Sequence, residues 1–212
     1  MINEILQVLD ICYPYDGVCF LNYNEPWQLL FATILSAQCT DNMVNKVTAG
    51  LFKQFSCLED FVDCDISVLE EAVRPTGFYR TKAANLKKAA HKLMEDFGGA
   101  LPSNIDSLTR LAGVGRKTAN VVRGHIFGIP SIVVDTHVKR VSKRLGLTDE
   151  NDPVKIEFEL MDKLPQERWI AYNQQVISHG RKVCTSQRPK CKGCALGDFC
   201  EMAKQAVEHS ER

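Results

Sequence analysis

The sequence predicts an all-α protein made of two helical domains. Three observations carry this: apolar residues recur at helical spacing along nearly the whole chain, capping residues stand at the starts of those runs, and only Ile132-Val133-Val134 reads as strand. Three residues are too few to build a sheet.

The elements follow in order. Ile2, Ile5, Leu6 and Leu9 form one buried face of a first helix. Pro26 opens a second over residues 27–37, apolar nearly all round and therefore a buried central helix. Asp41 is positioned to cap a third, carrying Met43, Val44, Val47, Leu51 and Phe52. Ser67-Val68-Leu69-Glu70 has the form of a capping box, and Pro75 ends the short helix that follows. Residues 80–97 make a long Ala- and Lys-rich amphipathic helix closed by Gly98-Gly99. A short helix ending near Leu111, a glycine-punctuated turn and a helix over 117–127 come next. Asp135 caps a further helix, with Gly146 past its end, and Asp152-Pro153 starts another. The last helix carries Trp169, Ile170, Val176 and Ile177 and runs into a cysteine-rich loop. A boundary at Gly128-Ile129-Pro130 divides the chain into one domain of residues 19–129 and another of 1–18 plus 130–212, with a cleft between them.

Composition narrows the class. With 212 residues, 45% hydrophobic and 25% charged, the chain can bury a core and is not of disordered type. No apolar run reaches the ~18–20 residues of a membrane span. Met1-Ile2-Asn3-Glu4 carries no secretory signal, so a cytoplasmic protein is expected, nucleoid-associated if bacterial, with no membrane partner. The 26 basic and 26 acidic residues cancel, yet they are segregated. Between positions 110 and 144 there are eight Lys or Arg against Asp135 alone, and between 181 and 192 five basic residues and no acid. A neutral molecule can thus present a basic face, although solvated helix faces would leave the same pattern.

Two segments carry chemistry. In Leu108-Thr109-Arg110-Leu111-Ala112-Gly113-Val114-Gly115-Arg116-Lys117-Thr118-Ala119, glycines allow backbone N–H groups to point outward just ahead of a helix N-terminus, where a phosphate would sit. Val114 can tuck inward and pin the turn. A Walker A loop is excluded because position 110 is Arg and Arg116 separates Gly115 from Lys117; a dinucleotide fingerprint is excluded because position 118 is Thr and no strand precedes it. On its own the segment reads either as a plain helix-turn-helix corner or, given Arg116 and Lys117, as a nucleic-acid contact. Of the nine cysteines, Cys184, Cys191, Cys194 and Cys200 crowd into seventeen residues. Nine cannot pair completely, and the cluster reads as metal ligation, by a tetrahedral zinc or a [4Fe–4S] centre.

The hairpin, followed by Val134-Asp135-Thr136-His137 and the four clustered cysteines, resembles the endonuclease III family of helix-hairpin-helix DNA glycosylases, in the same order from Leu35-Ser36-Ala37-Gln38 to Cys200. The resemblance implies a monomeric, bifunctional glycosylase and AP lyase. It would excise oxidised or ring-saturated pyrimidines from double-stranded DNA, act also at abasic sites, and cleave the strand by β-elimination. It implies Lys117 as nucleophile, Asp135 as its acidic partner, and Cys184, Cys191, Cys194 and Cys200 as ligands of a [4Fe–4S] cluster. Gln38 matches the residue that enters the vacated base stack, and Phe78 stands where the family places an apolar wedge, usually aliphatic. Gly113, Val114, Gly115 and Arg116 would hold the DNA backbone, joined by Arg188 and Lys190 on the cluster loop. Ala112 departs from the family's usual proline, with little expected consequence. Without the resemblance, Lys117 reads as a phosphate contact, Asp135 as a helix cap and Phe78 as core. A non-catalytic DNA-binding module and a glycosylase that only removes bases remain the alternatives, and lysine at 117 argues against the second.

Overall fold

Eleven α-helices and three 3₁₀ turns, and no strand, form among the residues described by the computed structural model, 1–200 and 202–204. The helices are α1 (Ile2–Cys12), α2 (Pro26–Leu35), α3 (Asp41–Gln54), α4 (Leu58–Asp63), α5 (Ile66–Val73), α6 (Tyr79–Phe97), α7 (Ile105–Thr109), α8 (Arg116–Phe127), α9 (Thr136–Arg144), α10 (Pro153–Lys163) and α11 (Trp169–Lys182). They fold as two compact units, Cys19–Ile129 and Met1–Val18 with Pro130–Arg212. Glu201 and positions 205–212, assigned above to the second domain, lie outside the described residues.

In the unit Cys19–Ile129, α2 buries every residue from Gln28 to Leu35. It lies in a core with Val44, Leu51, Leu69, Leu86, Leu93, Leu108 and Val122. Trp27, Phe31, Phe55 and Phe61 interlock there, Phe31 and Phe61 edge to face with ring centroids 4.8 Å apart. The long α6 packs on α4 and α5, and α2 lies against α8. Gly98 takes the left-handed conformation past Phe97, and the Gly99 N–H donates back to the Leu93 carbonyl.

Several expected boundaries shift for local reasons. Helix α2 stops at Leu35 instead of 37: the Ser36 hydroxyl donates to the Thr33 carbonyl, and Gln38 turns left-handed. Thr40, not Asp41, caps α3, its hydroxyl accepting from the Met43 N–H, which leaves Asp41 as the first helical residue. Asp65, not Ser67, caps α5, its carboxylate accepting from the Ser67 N–H at 2.8 Å. A carboxylate near a helix N-terminus is favoured over a hydroxyl by its charge.

The other unit is held by Ile5, Leu6 and Leu9 of α1 packing with Ile132, Val138, Val141, Leu160, Tyr172 and Val176. The α9 and α11 helices lie against each other, and the Ser142 and Tyr172 hydroxyls meet at 2.7 Å inside that contact. Residues 131–133 run extended but pair with no strand. The Asn173 side chain takes the place of one: its Oδ1 accepts from the Val133 N–H at 2.9 Å and its Nδ2 donates to the Ser131 carbonyl at 2.8 Å. A single side-chain amide thereby satisfies buried backbone that would otherwise need a ladder. No helix among the described residues is long and apolar enough to cross a membrane.

Candidate active site

The hairpin joins α7 to α8. Leu111 and Val114 point into the core, whereas Gly113 and Gly115 are exposed. Gly113 has φ +77°, and a Cβ there would meet Asn85 Nδ2 of α6 at 2.8 Å and Asn85 Cβ at 3.0 Å. Two requirements, left-handed backbone and close approach, fall on one residue. Gly113→Ala is therefore expected to cost about 1–2 kcal/mol, a fall of ~2–4 °C in thermal midpoint for each kcal/mol, measurable by calorimetry. Gly115 stands at the N-cap of α8 with extended backbone and supplies no side-chain cap. Arg116 and the exposed Lys117 are the first two residues of that helix.

Gln38 and Phe78 share an unusual backbone state. Among the described residues they are the two non-glycine positions with positive φ, +52° and +48°. An L-residue held there costs about 1–2 kcal/mol, and such strain gathers at functional loops. Phe78 is 65% exposed at the start of α6, so it is not the core residue that composition alone would make it. Beside it, Arg74 and Arg80 both lie 5.6 Å from the Tyr79 ring centroid. Gln38 is exposed in the turn between α2 and α3.

Asp135 belongs to the other unit, directly after the extended segment held by Asn173. Its Oδ1 accepts from the His137 and Val138 N–H groups at 2.8 and 2.7 Å, capping α9. Both bonds use one oxygen. Burial holds the His137 imidazole below its usual pKa; Asp135 pulls it up, and Arg140 and Arg181 push it down. The His137 ring is thus neutral near pH 7, and since arginine only donates, its Nδ1 accepts from Arg140 Nη2 at 3.1 Å. A Cβ on Gly180 would meet that Nδ1 at 2.9 Å and Arg140 Nη2 at 3.1 Å, which is why α11 carries glycine where α9 crosses it.

The four clustered cysteines line one small hollow together with Val141, Arg144 and His179. No three His, Cys, Asp or Glu side chains of the described residues stand close enough to share a single metal ion. Burial pushes the Cys194 thiol up, and the Cys184, Cys200 and Cys191 sulfurs add to it. The surrounding donors suit anionic sulfur. Arg144 Nη1 reaches Cys184 Sγ at 3.1 Å, Arg140 donates to the Cys184 carbonyl at 2.9 and 3.0 Å, and His179 Nε2 lies 3.8 Å from Cys194 Sγ. Tyr13 Oη meets the other ring nitrogen of His179 at 3.0 Å, so the ring is held between the tyrosine and that sulfur. Arg188 and Lys190 stand exposed on the same loop.

Sequence reasoning did not name Arg140, Arg144, Asn173 or His179. The two arginines were within reach: four residues apart, they share one face of a helix that Asp135 begins. Asn173 and His179 carry no local signal, because their partners lie 40 and 15 residues away.

The chain matches the family model of the HhH-GPD superfamily base excision DNA repair proteins over residues 31–166. It is 47% identical to endonuclease III of Synechocystis sp. over 203 residues, covering 95% of this chain and 92% of that protein. With endonuclease III of Bacillus subtilis it shares 44% over 183 residues, 86% of this chain and 84% of that one. Among solved structures it is similar to a non-covalent endonuclease III–DNA complex, with a TM-score of 0.93, 40% identity, and coverage of 98% of this chain and 97% of that one. A trapped endonuclease III–DNA covalent intermediate with an estranged adenine gives a TM-score of 0.92 at 40% identity, covering 97% of each chain.

Proposed function

Because this chain belongs to the HhH-GPD superfamily of base excision DNA repair proteins, within it to the endonuclease III family, we propose that Lys117 and Asp135 carry its reaction. It is a DNA glycosylase with AP lyase activity, and the substrate of this reading is an oxidised or ring-saturated pyrimidine, or an abasic site, in duplex DNA. The observation that carries the assignment is an exposed lysine at a helix N-terminus: Lys117 stands second in α8, two residues after Gly115, the second exposed glycine of the hairpin.

Lysine must attack as the free amine. The Lys117 Nζ bonds to C1′ as the glycosidic C–N bond breaks, and the base leaves with that electron pair and takes up a proton. Positive charge on the deoxyribose in that step is stabilised by the Asp135 carboxylate. Loss of the C1′–O4′ bond opens the sugar and leaves an imine joined to Lys117. The imine acidifies the C2′–H; removal of that proton expels the 3′ phosphate, and water then releases the enzyme.

Gly113, Val114, Gly115 and Arg116 receive the DNA backbone in this reading: the N-terminus of α8 takes a phosphate, with Arg116 adding charge and Val114 holding the turn from beneath. Gln38 and Phe78 fill the stack that the extruded nucleotide vacates; their exposure and their strained backbone both suit groups that insert into DNA. Arg188 and Lys190 add phosphate contacts. The enzyme works as a monomer in the cytoplasm, on nucleoid DNA if the source is bacterial.

Cys184, Cys191, Cys194 and Cys200 would hold a [4Fe–4S] cluster, whose thiolate charge Arg144 is placed to offset. When bound, the cluster ties the loop that presents Arg188 and Lys190 and takes no part in bond breaking. Anaerobically purified protein is expected to contain about four iron atoms and four labile sulfides per chain, and Cys194→Ser to lose them and open the loop over residues 184–200 to proteolysis. One tightly bound zinc per chain would overturn this part.

The reading as a whole is tested on a duplex carrying one thymine glycol. Base release with strand scission is expected. Release without scission would make this a base-only glycosylase, and binding without either would leave a DNA-binding module.

A further inference from the structure

The two strained residues are not independent features of the fold. Helix α3, which follows Gln38 closely, packs on the 3₁₀ turn Arg74–Thr76, which leads into Phe78. Lys82, on the first turn of α6, sits at that junction and is only 4% exposed. Its Nζ donates to the Thr76 carbonyl at 2.7 Å, two residues before Phe78. Thr76 is itself buried, and its hydroxyl donates to the Val73 carbonyl at 2.8 Å, which closes the turn from the other side. Burial pulls the Lys82 pKa down, with Cys39, adjacent in sequence to Gln38, acting in the opposite direction. A buried ammonium is a costly way to fill space, and methionine would pack in the same volume without that cost. What the lysine adds is a fixed, charge-assisted bond to one backbone carbonyl of the loop.

We propose that Lys82 is a positioning residue that holds the Phe78 loop in its strained, outward conformation against the Gln38 turn, so that both side chains are poised to enter the duplex together. This rests on the insertion role given above to Gln38 and Phe78. The ammonium touches neither substrate nor reacting atoms; it acts through the Thr76 carbonyl. Its loss would let the loop relax to ordinary backbone angles, and Phe78 would have to be re-ordered on each encounter with DNA.

The test is a double-mutant cycle of Lys82→Met with Phe78→Ala. Lys82→Met is expected to lower kcat/KM on duplex thymine glycol about tenfold, and to reduce the fluorescence rise of 2-aminopurine placed beside the lesion. Borohydride trapping at an abasic site in single-stranded DNA, which needs no extrusion, is expected to stay within about twofold. In the Phe78→Ala background, Lys82→Met is expected to cost nothing further. Lys82→Gln, which can still donate to Thr76, is expected to recover part of the loss and carries the same cycle if the methionine variant does not fold. Additive losses, or an equal loss on single-stranded substrate, would overturn the positioning role. A wild-type protein with no excision on duplex DNA would instead overturn the proposed function, before any variant is compared.

Discussion

Replacing Lys117 with alanine is expected to abolish the covalent adduct that borohydride traps on a thymine glycol duplex, and to reduce strand cleavage by ~10³-fold or more. The side chain is exposed at the start of α8 and contributes nothing to the core, so the variant should melt where the wild type does and retain most of its DNA affinity. That separation gives the experiment its force. The hairpin amides, Arg116 and the inserting residues remain, so a fall in binding parallel to the fall in cleavage would point to a phosphate contact in place of a nucleophile. Undiminished trapping in Lys117→Ala would sink the assignment outright.

The second large effect is expected at Asp135, where structure and chemistry can be pulled apart. Its Oδ1 caps α9 through the His137 and Val138 N–H groups, and a cap is also what asparagine provides. Asp135→Asn should therefore keep the thermal midpoint while lowering base excision by about 10²–10³-fold, through loss of the charge that stabilises the sugar cation. Asp135→Ala removes both functions and should lose in addition about 1 kcal/mol of stability. Single-turnover excision and calorimetry on the two variants decide the matter. If Asn retains full excision while Ala does not, Asp135 is a cap and nothing more.

Apart from the six-residue α4, which is too short to show a repeat, helix locations were legible because the helices carry their own apolar stripes, and periodicity is a local property. The missed boundaries were decided by competition between neighbouring polar side chains. Thr40 over Asp41 and Asp65 over Ser67 differ by one or two positions, and which oxygen reaches an N–H depends on backbone angles that no spacing encodes. Phe78 shows the opposite failing. Composition alone makes a phenylalanine core, yet here Gly77 and a left-handed backbone turn it outward at 65% exposure. Val114 and Gly113 were readable together, since an apolar residue between two glycines in a tight turn has the core as its only place to go.

What the sequence determined by itself is the kind of protein: helical, built around a Gly-Val-Gly hairpin followed by lysine, with four cysteines in seventeen residues. These are features of composition and short spacing, and short spacings survive any arrangement of the helices. Only the tertiary structure decided how each site is held. Asn173 replaces a strand for residues 131–133, Arg144 and His179 face the cysteine sulfurs, and Lys82 grips the carbonyl of Thr76. Such partners are set by which helix faces pack together, and a buried donor accepts whichever acceptor that packing delivers to it.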